Sequence, residues 1–163
     1  MSELVELVRR HGPRGVLVDT NLLLLYFIGS FDRGLVGRFK RTQPFTGEDY
    51  DFLDEFLERF SRVVTTPHVL AEVNSLSGQL GEPKRTRYFQ DFAERIATLD
   101  ERYVASTRLA AAQQFPRLGL TDTGILHVAQ SGLLVLTDDL ALSGSLKLVG
   151  VEVVNFTHLR GLL

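Results

Sequence analysis

At 163 residues the chain is long enough for one domain with a sizeable core, and a composition of 44% hydrophobic and 23% charged residues excludes a disordered or collagen-like polymer. The absence of Cys excludes disulfide scaffolds, thiolate metal sites and cysteine nucleophiles. Lys and Arg number 18 against 20 Asp and Glu, and the resulting formal charge of −2 argues against a protein that coats nucleic acid, though not against an enzyme with local basic patches.

Residues 1–6 carry acids where a signal peptide needs basic residues ahead of a longer apolar run. Residues 15–18, Gly-Val-Leu-Val, read as a buried strand, because consecutive apolar residues leave no solvent face. The longest apolar stretch, residues 22–28, falls short of the ~20 residues that a bilayer requires. No membrane partner and a cytoplasmic location are therefore expected. Residues 29–49, rich in Gly, Arg, Thr and Pro, predict a long surface loop, and residues 51–60 a helix with Phe52, Leu53, Phe56, Leu57 and Phe60 at helical spacing.

Residues 62–65 predict a second strand. Thr66-Pro67 then places a capping hydroxyl before a first-turn proline, predicting a helix over 67–80 with Val69, Val73, Leu76 and Leu80 inward. Residues 81–87 read as a second loop, 96–99 as a less regular strand, and the Ala-rich 104–115 as a helix. A further helix is expected over 121–130, capped by Thr121 and stopped at Gly132, before strands at 133–136 and 151–154. Strands alternating with helices predict an α/β domain with a mostly parallel sheet of about four to five strands. No repeat or linker divides it.

In open α/β sheets, ligands bind outside the carboxyl ends of the strands. Two of the expected strands end in acid there: residues 15–18 run into Asp19, and 133–136 into Thr137-Asp138-Asp139. Asp122 heads the apolar stripe of Ile125, Leu126 and Ala129, and Glu72 lies in the helix that follows the second strand. Each acid alone has a plainer reading: Asp122 a first-turn acid, Glu72 a solvated helix residue, Asp19 a turn or cap, Asp138-Asp139 a turn and cap pair. Together they suggest an oxygen site for a hard cation, Mg²⁺ or Mn²⁺, and with it phosphodiester hydrolysis.

Four segments resemble, in order, the PIN-domain ribonucleases, a family that includes toxins of the VapC type. They are Val16-Leu17-Val18-Asp19-Thr20-Asn21, the Thr65 to Val73 segment with Glu72, Leu120 to Ala129 with Asp122, and Leu134-Val135-Leu136-Thr137-Asp138-Asp139-Leu140. The resemblance covers about residues 15–156. It implies a PIN-like three-layer α/β/α domain spanning 1–163, with an insertion at about 29–60. It also implies Mg²⁺ or Mn²⁺ ligation and catalysis by Asp19, Glu72, Asp122 and Asp139, with Asn21 and Thr137 orienting them. The Thr-x-Asp spacing favours Asp139 over Asp138 as the fourth ligand. His127 departs from the family pattern, which has a small residue there, and reads as a hydrogen-bonded core histidine.

The implied function is a metal-dependent endoribonuclease, the toxin of a toxin–antitoxin pair, acting on RNA as a homodimer with an antitoxin protein as partner. A PIN nuclease of RNA processing or DNA metabolism, and a catalytically silent PIN-like binding module, are the alternatives. A haloacid-dehalogenase-type phosphotransferase needs an Asp where Asn21 stands, and a receiver domain needs its acidic pair at its start. Substrate contacts are expected from Arg38, Lys40 and Arg41 in the first loop and Lys84, Arg85 and Arg87 in the second. Phe27, Phe31, Phe39 and Phe45 interleave with the first cluster, suited either to stacking on bases or to packing the insertion.

Overall fold

The computed structural model describes residues 2–160, in which five strands pair side by side. They are β1 (Val16–Val18), β2 (Val63–Thr65), β3 (Asp100–Glu101), β4 (Leu134–Thr137) and β5 (Val153–Asn155), in the order β3-β2-β1-β4-β5. Every pairing is parallel, with Val16 opposite Val63 and Leu134, and Val18 opposite Leu136. Parallel strands need crossovers, and nine α-helices lie between and around them among the described residues. In chain order these are α1 (Ser2–His11), α2 (Thr20–Phe31), α3 (Gly47–Leu57), α4 (Pro67–Ser77), α5 (Lys84–Ile96), α6 (Ser106–Ala110), α7 (Phe115–Ala129), α8 (Leu140–Leu148) and α9 (Phe156–Arg160). The result is a three-layer α/β/α domain, the fold class the sequence predicts. No helix of the described residues is long and apolar enough to cross a membrane.

The central strands show why the sheet is internal. Val16, Leu17, Val18, Leu134, Val135 and Leu136 are fully buried, as strands covered on both faces require. The apolar run at 22–28 lies within α2, where Leu22, Leu23, Leu24, Leu25, Phe27 and Ile28 are also fully buried. A helix apolar on all sides must be enclosed, and α3, α4 and α5 pack around it.

Several expected boundaries move, each for a local reason. Residues 29–49 are not a surface loop: α2 continues to Phe31, and Asp32 caps a 3-10 turn at Arg33–Leu35 by accepting from Gly34 N. The turns that follow bury Leu35, Val36, Phe39 and Phe45 around Thr42, whose hydroxyl donates to Val36 O. Phe27, Phe39 and Phe45 are therefore core residues, and half-buried Phe31 stands edge-on to Tyr88 at 5.7 Å. None of the four is an open stacking platform.

Residues 81–87 are only partly a loop, since Lys84, Arg85 and Arg87 form the first turns of α5. That helix, anchored by buried Tyr88 and Phe92, runs to Ile96, so the strand expected at 96–99 is displaced to β3 at Asp100–Glu101. The helix expected over 104–115 is confined to α6. The helix expected over 121–130 instead belongs to α7, which begins at Phe115 and breaks at Gly119, where φ is 78°. Only glycine adopts that angle without strain.

Candidate functional site

Because all strands are parallel, their carboxyl ends share one edge. The strand order reverses about β1, with β2 on one side and β4 on the other, and that switch opens a crevice between the outgoing connections. A cleft of about 580 Å³ lies there, and Asp19, Glu72, Asp122 and Asp139 all line it, with Asn21. Its lining holds no Lys or Arg; His68 is its single residue capable of positive charge.

Each acid arrives from a different element. Asp19 follows β1 and caps α2, with Oδ1 accepting from Thr20 N at 2.7 Å and Oδ2 accepting from Thr137 Oγ1 at 2.6 Å. Backbone pairing holds it against β4, since Asp19 N donates to Leu136 O at 3.0 Å. Asp139 follows β4 and caps α8 through its Oδ1, which accepts from Leu142 N. Thr137 joins the two: its hydroxyl donates to Asp19 and accepts from Asp139 N at 3.0 Å.

Glu72 extends from α4, which starts immediately after β2 with Thr66 as its cap and Pro67 in its first turn. Two hydroxyls hold its carboxylate, Thr20 Oγ1 on Oε2 at 3.2 Å and Thr121 Oγ1 on Oε1 at 2.6 Å. Asp122 comes from α7 just beyond the Gly119 break, which also places Thr121 over Glu72 rather than at a helix start.

The electrostatics are those of uncompensated negative charge. Among the described residues none of the four acids forms an ion pair, whereas Asp49, Asp51, Asp91, Asp100 and Glu152 each meet a cation. Burial pushes the Asp122 carboxyl up to about 7, and the nearby charges of Asp19, Asp139 and Glu72 push in the same direction. Burial also raises Asp19, against the opposing hydrogen bonds from Thr137 and Thr20. Asp138 is raised as well, chiefly by burial, but it does not line the cleft, and its buried Oδ1 has no partner. Of the Asp138-Asp139 pair, Asp139 is the one that borders the cleft.

The carboxylates surround the cleft rather than meeting at a point: among the described residues, no three His, Asp or Glu side chains are drawn together closely enough to hold a metal ion as they stand. Hydroxyl and backbone donors hold Asp19, Glu72 and Asp139 in place. The donor set still suits a hard cation, since the four carboxylates offer only oxygen, the cleft lining holds no Lys or Arg, and the cleft opens to solvent. Asp19, Glu72, Asp122 and Asp139 are the residues that would hold it.

The sequence gives Thr20 and His68 no part in the site and marks Thr121 only as a helix cap. The two threonines adjoin Asp19 and Asp122 along the chain, and His68 stands four residues before Glu72 on the same face of α4, which is the signal that identifies it. Half-buried, it lines the cleft with its Nε2 3.0 Å from Ser106 Oγ. His127, also half-buried, does not line the cleft.

No family model and no curated protein matches the sequence. Among solved structures, the chain is similar to a domain of a functionally unknown protein from Methanocaldococcus jannaschii DSM 2661, at 15% identity over 86% of this chain and 89% of that one, with a TM-score of 0.43.

Proposed function

We propose that the chain is a metal-dependent endoribonuclease of the PIN type, hydrolysing RNA phosphodiester bonds at the cleft that Asp19, Glu72, Asp122 and Asp139 surround. One observation carries this reading: four carboxylates without a cation partner border a single cleft at the carboxyl edge of a parallel sheet. A module that only bound a protein would gain nothing from such repulsion. Bound there, Mg²⁺ or Mn²⁺ supplies a Lewis acid that offsets charge on the phosphate and lowers the pKa of water.

The chain's own residues provide the positioning. Thr137 fixes Asp19 and the backbone of Asp139 with one hydroxyl, while Thr20 and Thr121 orient both oxygens of Glu72. Asn21 borders the cleft beside Asp19 as a neutral contact. Leu76, Leu118 and Leu120 form an apolar wall that limits water on one side. Arg38, Lys40, Arg41, Lys84, Arg85 and Arg87 hold the phosphate backbone. The toxin role, a homodimer and an antitoxin that covers the cleft belong to the same proposal and rest on the four resembling segments.

The test is hydrolysis of single-stranded and looped RNA by the purified chain. Cleavage is expected with Mg²⁺ or Mn²⁺, lost in EDTA, and at least tenfold slower in Asp19→Asn. Metal-loaded protein that cleaves no better than that variant would overturn the proposal.

A further inference from the structure

The cleft does not end at the acids. Its α4 wall carries His68, Glu72 and Leu76 at four-residue spacing, and a second depression of about 310 Å³, lined by Ala71, Glu72, Ser75 and Leu76, continues along the same face. Gln79 is the next position on that stripe, seven residues after Glu72, and the chain still turns helically there, with Gln79 N donating to Leu76 O at 3.2 Å. At Gln79 the surface changes sign. Arg41, from the turns after α2, donates from Nε to Gln79 Oε1 at 2.8 Å, and Arg85, from α5, donates to Gly78 O at 3.2 Å. Two basic segments far apart in sequence thus converge on the C-terminal end of one helix.

Arg41 and Arg85 are held by an amide oxygen and a backbone carbonyl rather than by an acid, so among the described residues neither charge is neutralised within the protein. The guanidinium of Arg41 spends only its Nε on the protein, leaving both Nη groups free to fork onto a phosphate. We infer that the exposed face of α4 is a track for the RNA strand, and that Arg41, held by Gln79 and flanked by Arg85, binds a backbone phosphate remote from the bond cleaved. The helical rise puts Gln79 about 10 Å along the helix axis from Glu72, so a strand touching both is a short oligonucleotide rather than a single phosphodiester. Ser75, small and exposed, lies under the strand between the two positions.

This rests on the nuclease reading, and the experiment separates the two. Wild type, Arg41→Ala and Ser75→Glu are compared on a dinucleotide and on single-stranded RNA of about twelve nucleotides. Cleavage is followed with Mn²⁺, and binding of the longer RNA by fluorescence anisotropy in EDTA. Both variants should melt as wild type does. Each should lose at least tenfold in kcat/KM on the longer RNA, through KM, and less than threefold on the dinucleotide. Equal losses on both substrates, or none on the longer one, would overturn the track and leave the nuclease standing. If wild type cleaves neither substrate, the nuclease reading fails, and the track is judged by binding. Weaker binding by Arg41→Ala and Ser75→Glu than by wild type upholds it, and equal binding, or none by wild type, overturns it.

Discussion

Replacing Asp122 with Asn is expected to make the metal-free protein more stable than wild type at pH 8, by roughly 2 kcal/mol after allowance for solvent screening. The carboxyl titrates at about 7 in the folded chain, against an ordinary value of 3.8. Between those values the folded state keeps a proton that the unfolded state has released, so stability falls as pH rises through that window. Above it the full cost of an ionised Asp122 is present; below it there is none. The advantage of the Asn variant should therefore be absent near pH 4, grow towards neutrality and level off above it. Urea titrations in EDTA across that range measure it directly. Asp19 and Asp138 are shifted in the same direction and remain in both proteins, so the difference between the two curves reports Asp122 together with its coupling to the neighbouring acids. The same substitution should reduce RNA cleavage on the order of 100-fold, as loss of a metal ligand or its close support does. A helix-capping acid would behave in the opposite way, losing about 1 kcal/mol with no dependence on metal.

Thr137→Val is expected to destabilise the protein by about 3 kcal/mol. The side chain is fully buried, and its single hydroxyl serves both Asp19 Oδ2 and Asp139 N. Valine preserves the shape and leaves a buried carboxylate oxygen and a backbone N–H unpartnered, which is the costly way to lose hydrogen bonds. Thr137→Ser restores the hydroxyl and should recover most of the loss. A second consequence follows from charge. The Thr137 hydrogen bond opposes the burial that raises Asp19, so its removal should raise that carboxyl further and move the onset of Mn²⁺ binding to higher pH. Chemical denaturation and Mn²⁺ titrations at several pH values test both effects.

How much of this was legible in the sequence depends on what each residue's neighbours reveal. Strands β1 and β4 stand out because Val16 to Val18 and Leu134 to Leu136 are apolar without interruption, and the acids that end them follow at once. Helix α4 stands out because Thr66 and Pro67 mark its start. The run at 22–28 shows no periodicity, since every face of α2 is buried, so its helix carries no amphipathic signature. Helix α5 opens with Lys84, Arg85, Thr86 and Arg87, which reads as a charged loop until Tyr88 and Phe92 supply its buried side. Gly119 conceals the continuity of α7 by breaking it.

The site divides in the same way. Acids at strand ends and helix starts can be read one by one, but the hydroxyls that hold them cannot. Thr121 reads as a cap and proves to be a donor to Glu72, a partnership set by how α7 crosses α4. The basic segments at 38–41 and 84–87 are visible as charge alone. Their meeting at Gln79 and Gly78 exists only in three dimensions.

If Asp19, Glu72, Asp122 and Asp139 act as one divalent-cation site, equilibrium Mn²⁺ binding must depend on all four. Free Mn²⁺ is measured by electron paramagnetic resonance at pH 7.5 with wild type and with Asp19→Asn, Glu72→Gln, Asp122→Asn and Asp139→Asn. Saturable binding by wild type is expected, with an affinity at least tenfold weaker in every variant, since each removes an oxygen donor from the same ion. Mn²⁺ binding of equal strength in all five proteins, or none by wild type, would contradict it.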